Sequence, residues 1–165
     1  MPSSFRIKIV EAKRLRSADP DGGSDPFVIV KMKGLFKKKF KTKVINHNLN
    51  PVWEEEFEFE PQHPNHDQII LKIYDYDTVG TNDFLGMVKL PVINYLNKGI
   101  VEEWLPLSGK WGKKEEGEIH VICGFGVSAA LTVNELPKPP PPKSPSEVYD
   151  EIAENRYNIA IIPNK

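Results

Sequence analysis

The sequence predicts an all-β chain, an eight-stranded antiparallel β-sandwich followed by an extended C-terminal tail. Three observations carry this. Apolar and polar residues alternate with a period of two, as in Phe5, Ile7 and Ile9 or Ile119, Val121, Cys123 and Phe125, which sets one face of a strand on a core and the other in water. Turn formers recur between such stretches, at Pro20 to Gly23, Asn46 to Pro51 and Gly80 to Asn82, and many short strands with regular turns argue for a sandwich. Seven of the fifteen prolines fall in the last 29 residues, where neither a helix nor an inner strand can accommodate them.

The strands are expected at residues 4–14, 26–33, 38–45, 53–60, 68–75, 84–91, 101–107 and 117–126. The second alternates into a run of lysines. The fourth sets Phe57 and Phe59 against Glu56, Glu58 and Glu60, and the fifth is marked by Ile69, Leu71 and Ile73. Asn94 to Gly99 is expected to hold a helical turn. Trp53, Phe57 and Phe59 read as core. The folded domain is placed at 1–128 and the tail at 129–165. Within the tail, the run from Leu136 to Pro145 is expected to be polyproline II.

Length and composition restrict the function. A chain of 165 residues suggests one domain with an appendage. Its 39% hydrophobic and 27% charged residues are an ordinary globular balance. A net charge of −1 makes no demand for nucleic acid, and the basic stretch carries only Phe36 and Phe40 as interleaved aromatics, so no nucleic-acid partner is expected. The lone Cys123 has no partner for a disulfide or a zinc site and alternates with core residues. Met1 to Arg6 lacks the pattern of a signal peptide, and no apolar run approaches a membrane span. The expected location is cytoplasmic, with peripheral recruitment to membrane. There is no Gly-x-Ser-x-Gly and no phosphate-cradling Gly-x-x-x-x-Gly-Lys, so the chain is not expected to be an enzyme.

The chemistry is concentrated in aspartates. Asp19 and Asp25 flank the Gly-rich turn of Ala18-Asp-Pro-Asp-Gly-Gly-Ser-Asp-Pro-Phe27. Asp75, Asp77 and Asp83 lie in Tyr74-Asp-Tyr-Asp-Thr-Val-Gly-Thr-Asn-Asp-Phe-Leu-Gly86. Asp75 and Asp77 stand two apart at a strand end, so their side chains leave in one direction. Calcium takes six to eight oxygens in a tolerant geometry, and five carboxylates exceed what one calcium neutralises, which suggests two or more ions. An EF-hand loop does not fit: one starting at Asp75 has Gly86 where the bidentate Glu belongs.

Three stretches carry a family resemblance. Leu15 to Phe27, with Ser24-Asp-Pro-Phe27, resembles the first calcium loop of C2 domains, Asn50-Pro-Val-Trp-Glu-Glu-Glu-Phe57 is similar to their Asn-Pro-x-Trp-x-x-x-Phe signature, and Asp75-Tyr-Asp with Asn82-Asp-Phe-Leu-Gly86 resembles their third loop. The likeness covers about residues 4–126, in the family's order and spacing. It implies calcium ligation by Asp19, Asp25, Asp75, Asp77 and Asp83, with backbone carbonyls of Ala18 and Tyr76. It implies type II strand topology, because one strand precedes the first loop. It also implies that Lys31, Lys33, Lys39, Lys41 and Lys43, within a basic stretch that includes Lys37 and Lys38, contact phosphoinositide head groups. Between the aspartates, only Val79 is an apolar loop tip able to enter a bilayer. Head-group docking with phosphatidylserine favoured is expected over deep insertion.

Two other readings stay open. The tail contains Pro139-x-x-Pro142 and Pro142-x-x-Pro145, minimal motifs for an SH3 or WW partner, so the chain could be an adaptor with the sandwich as scaffold. Alternatively the lysines bind phosphoinositide without calcium.

Overall fold

A computed structural model of the chain describes residues 4–33, 38–109 and 114–126. Its elements are β1 (Phe5–Lys13), β2 (Pro26–Lys33), β3 (Lys39–Lys41), β4 (Val52–Phe59), β5 (Gln68–Asp75), β6 (Phe84–Pro91), a 3-10 turn (Val92–Tyr95), β7 (Ile100–Ser108) and β8 (Lys114–Phe125). The strands hydrogen-bond in the order β3-β2-β5-β6-β7-β8-β1-β4, all antiparallel. Among the described residues, one paired position, Met87 with Ser108, joins β6 to β7. The ribbon therefore divides there into two four-stranded sheets. One strand precedes the first long loop, and β8 lies between β7 and β1. This is the type II order expected from the sequence.

The alternating residues meet between the sheets. Phe5, Ile7, Ile9, Trp53, Phe59, Ile119, Val121 and Cys123 from one sheet share a buried cluster with Val28, Val30, Met32, Ile69, Leu71, Ile73 and Leu85 from the other. Each large apolar side chain so buried contributes about 1.5–3 kcal/mol. Burial also pushes the Cys123 thiol far above its ordinary range, so it is a packing group and not a reactive thiolate.

Three local departures from simple alternation have identifiable causes. The register of β1 slips between Ile9 and Glu11 against both neighbours: Val10 is an extra residue against β8, while β4 sets Trp53 and Glu54 against it, and Val10 turns onto the outer face beside Ile122 and Ile100. Such a bulge bends a strand locally, and on β4 Glu54 takes a left-handed φ of 54° near the slip. β3 is shorter than the expected 38–45. At Thr42 the amide still donates to the Val28 carbonyl at 3.0 Å, but the Val28 amide goes to the buried Thr42 hydroxyl at 2.9 Å, which donates to the Lys43 carbonyl at 3.0 Å, so the paired ladder stops at Lys41. The helical turn begins at Val92, two residues ahead of the expected Asn94, and buries Val92 and Tyr95. The expected tail, 129–165, lies outside the described residues, as does Lys37.

Candidate functional site

Three loops come together at one end of the sandwich: residues 14–25 between β1 and β2, 42–51 between β3 and β4, and 76–83 between β5 and β6. Backbone hydrogen bonds tie them. Leu15 N donates to Leu49 O at 3.0 Å, Asn48 N to Ser24 O at 2.8 Å, and Tyr76 N to Asp25 O at 3.0 Å. The aspartates mark the first and last of these loops in the sequence, where Asn46 to Pro51 shows only as a turn.

The first loop is folded by its own small residues. Buried Ser24 donates to the Arg16 carbonyl at 3.1 Å and accepts the Ala18 amide at 3.0 Å. Asp21 Oδ1 accepts the Gly23 amide at 3.1 Å, and Gly22 takes φ 88°, a conformation that costs glycine little. The amides of Ala18 and Asp19 both donate to Gly23 O, at 3.1 and 3.2 Å. The turn thus doubles back, returning the chain from Asp19 to Asp25.

Asp25 is the centre of the cluster. Its amide donates to Asp75 Oδ1 at 2.5 Å, its own Oδ1 accepts the His47 amide at 2.6 Å, and its carbonyl accepts Tyr76 N. Asp75 is 1% exposed, and its Oδ2 is buried with no hydrogen-bond partner. Asp77 N is held by Asn82 Oδ1 at 3.0 Å, and Asp75 N donates to Asp83 O at 2.8 Å. The Asp19 carboxyl is raised above its ordinary 3.8 by partial desolvation and then by the charges of Asp75, Asp21, Asp25 and Asp77. Four of the five expected aspartates therefore lie in one another's field. Asp83 enters through its carbonyl, and its side chain is exposed. Asp21 joins the cluster unanticipated.

The donors are all oxygen, and one is a buried carboxylate oxygen without a partner, a combination that suits a hard divalent cation. Among the described residues, no three His, Cys, Asp or Glu side chains already stand at the spacing of a closed metal site.

The lysines converge on the outer face of β3-β2-β5. Register sets Lys31 opposite Lys39, and Ile29 between Lys41 and Lys72, so two alternating sets on separate strands become one surface. A cavity of about 450 Å³ opens there, lined by Phe27, Ile29, Lys31, Lys39, Lys41, Lys72, Tyr74 and Asn82. Phe27 stacks on Tyr74 at 5.9 Å, and Lys41 Nζ lies 4.1 Å above the Phe27 ring. Lys33 stands opposite Gln68, and Lys43 follows the end of β3 with its amide on Glu55 at 2.8 Å; neither lines the cavity. Lys72, Tyr74 and Asn82 do line it and were missed, because cross-strand pairing is invisible in a linear pattern. Val79 is 89% exposed.

Against this geometry, comparison with known proteins is decisive. The family model of the C2 domain matches residues 3–107. The chain belongs to the C2 domain family. This C2 domain is 37% identical over 125 residues to human Synaptotagmin-2, covering 73% of the chain and 29% of that protein. It is 33% identical over 108 residues to Synaptotagmin-5 of Arabidopsis thaliana, covering 65% of the chain and 19% of that protein. The chain thus spans less than a third of these relatives' length. Among solved structures, a single C2 domain of plant Extended Synaptotagmin 1 superposes with a TM-score of 0.69 at 31% identity, covering 75% of this chain and 94% of that one. The calcium-bound pair of C2 domains of Extended-Synaptotagmin 2 gives 0.63 at 27% identity, covering 75% and 45%.

Proposed function

We propose that this C2 domain is a calcium-dependent membrane-binding module that carries no catalytic activity. It binds calcium through Asp19, Asp25, Asp75, Asp77 and Asp83, with carbonyls of Ala18 and Tyr76, and docks on anionic phospholipid, phosphatidylserine above all. The observation that carries the reading is the buried, partnerless Oδ2 of Asp75 inside a cluster whose charges raise the Asp19 carboxyl. A cation satisfies that oxygen and relieves the repulsion in one step. Resemblance to a structure described as calcium bound supports the same assignment.

Charge explains how ion binding becomes membrane binding. The acidic rim repels an anionic leaflet. Two cations offset most of that charge and leave coordination positions for a lipid phosphate or carboxylate. The loop tips are small and polar apart from Val79, which supports head-group docking over deep insertion. No helix among the described residues is long and apolar enough to cross a membrane.

A second reading is favoured by the cavity. Lys31, Lys39, Lys41 and Lys72, with the Tyr74 ring and the Asn82 amide, suit a multiply phosphorylated inositol head group, with or without calcium. Each lysine near an acidic leaflet is worth about 1 kcal/mol. The proposal that the tail captures an SH3 or WW domain rests on sequence motifs alone.

Calcium titration by calorimetry, with and without phosphatidylserine vesicles, tests the leading reading. Calcium binding that tightens with phosphatidylserine and disappears in Asp77→Asn is expected. Vesicle binding indifferent to a chelator would refute it and leave the lysine cavity as the membrane contact.

A further inference from the structure

Arg16 lies in the first loop but is none of the residues assigned to ion or lipid above, yet both of its ends are engaged between two loops of the site. Its carbonyl accepts the buried Ser24 hydroxyl at 3.1 Å, the bond that folds the first loop. Its Nη2 donates to the carbonyl of Phe84 at 2.9 Å. Phe84 begins β6 directly after Asp83, whose own carbonyl accepts the Asp75 amide. Two successive carbonyls at the exit of the third loop are therefore held, one by Asp75 and one by Arg16. Arg16 is half-buried, and among the described residues no carboxylate of the cluster lies within ion-pair distance of it.

We infer that Arg16 is a positioning residue for the proposed calcium site, a brace that fixes the spacing between the loop carrying Asp19 and Asp25 and the loop carrying Asp75, Asp77 and Asp83. The inference rests on the calcium reading of that site. The physical case is one of preorganisation. An ion shared by carboxylates from two loops binds more tightly when the loops need not be ordered at the moment of binding. A guanidinium suits the task because its planar fork holds a fixed direction with little further loss of freedom. Its charge acts in the opposite sense, since a cation near the cluster repels calcium. The two roles therefore predict opposite signs when Arg16 is removed.

The test compares wild type, Arg16→Lys and Arg16→Met by calcium calorimetry, with amide hydrogen exchange of residues 75–83 in chelator as a readout that needs no ion. As a brace, Arg16→Met weakens calcium binding by about three- to tenfold, the net worth of one hydrogen bond, and speeds exchange at Asp75 and through the third loop. Arg16→Lys, which keeps a donor, recovers part of both effects. Tighter calcium binding in Arg16→Met would show that only the charge matters and overturn the inference, as would unchanged affinity with unchanged exchange. A wild type that binds no calcium while Arg16→Met still loosens the loop would retain the brace as a loop tether and refute the calcium reading instead.

Discussion

The Asp25 amide donates to Asp75 Oδ1 at 2.5 Å, while Oδ2 of the same carboxylate is buried without a partner. One oxygen of Asp75 thus serves the fold, and the other is the oxygen that the proposed calcium site uses. Asparagine and alanine separate these roles. Asp75→Asn keeps an acceptor for the Asp25 amide, whereas Asp75→Ala leaves that amide unsatisfied, at a cost of about 1–3 kcal/mol. Both variants are expected to lose calcium binding in calorimetry. In urea denaturation with chelator, only Asp75→Ala should show the full loss of stability.

Asp19 makes a pH prediction with a definite sign. Its carboxyl is raised by desolvation and by neighbouring carboxylates, so the folded chain holds its proton more tightly than the unfolded chain does. Through the acid range above 3.8 the folded state binds more protons, and stability contributed by this group falls as pH rises. Asp19→Asn removes that dependence. In chelator, the variant's stability should gain on wild type as pH is raised through that range, with the gain levelling off above Asp19's folded value. Thermal melts across pH check it, and a gap that shrinks with rising pH would contradict it.

The lysine cavity predicts a ranking that total charge does not. Lys72 lines it and Lys33 does not. In flotation with phosphoinositide vesicles, Lys72→Ala should lose about fivefold in affinity, near 1 kcal/mol, and Lys39→Ala with Lys41→Ala about thirtyfold together. Lys33→Ala should lose less than either. Equal losses at all positions would point to diffuse attraction, whose salt dependence should also be steeper.

The fold was legible because a strand's period of two is a local signal. All eight strands are present where alternation places them, but β8 begins at Lys114, three residues ahead of the expected 117, and β3 ends early, where one threonine hydroxyl takes over a ladder bond. The acidic cluster was legible because its residues are bunched at the strand ends of two loops. What escaped depends on how the folded chain brings groups together. Asp21 reads as a turn former until its charge is felt at Asp19. His47 reads as a loop residue, yet its amide meets Asp25 across 22 positions. Lys72 reads as the polar half of an alternating strand until Ile29 pairs with it.

Gly117 shows how the scaffold constrains the site from behind. It sits in β8 with φ 95°, and a Cβ there would lie 2.7 Å from Lys13 O and 2.8 Å from Arg14 O. Both neighbours are backbone atoms, so no side-chain rotation can make room. A left-handed conformation for a non-glycine residue costs about 1–3 kcal/mol by itself, and the collision adds to it. Lys13 ends β1, and Arg14 opens the first loop with its amide on Asn50 Oδ1 at 3.0 Å. Gly117→Ala must therefore displace the point where β1 becomes that loop. A loss of at least about 2 kcal/mol in urea denaturation is expected, with a smaller loss of calcium affinity measured at temperatures where the variant is folded. Gly22, also at positive φ but with open space around it, is the control: Gly22→Ala should show only the conformational cost.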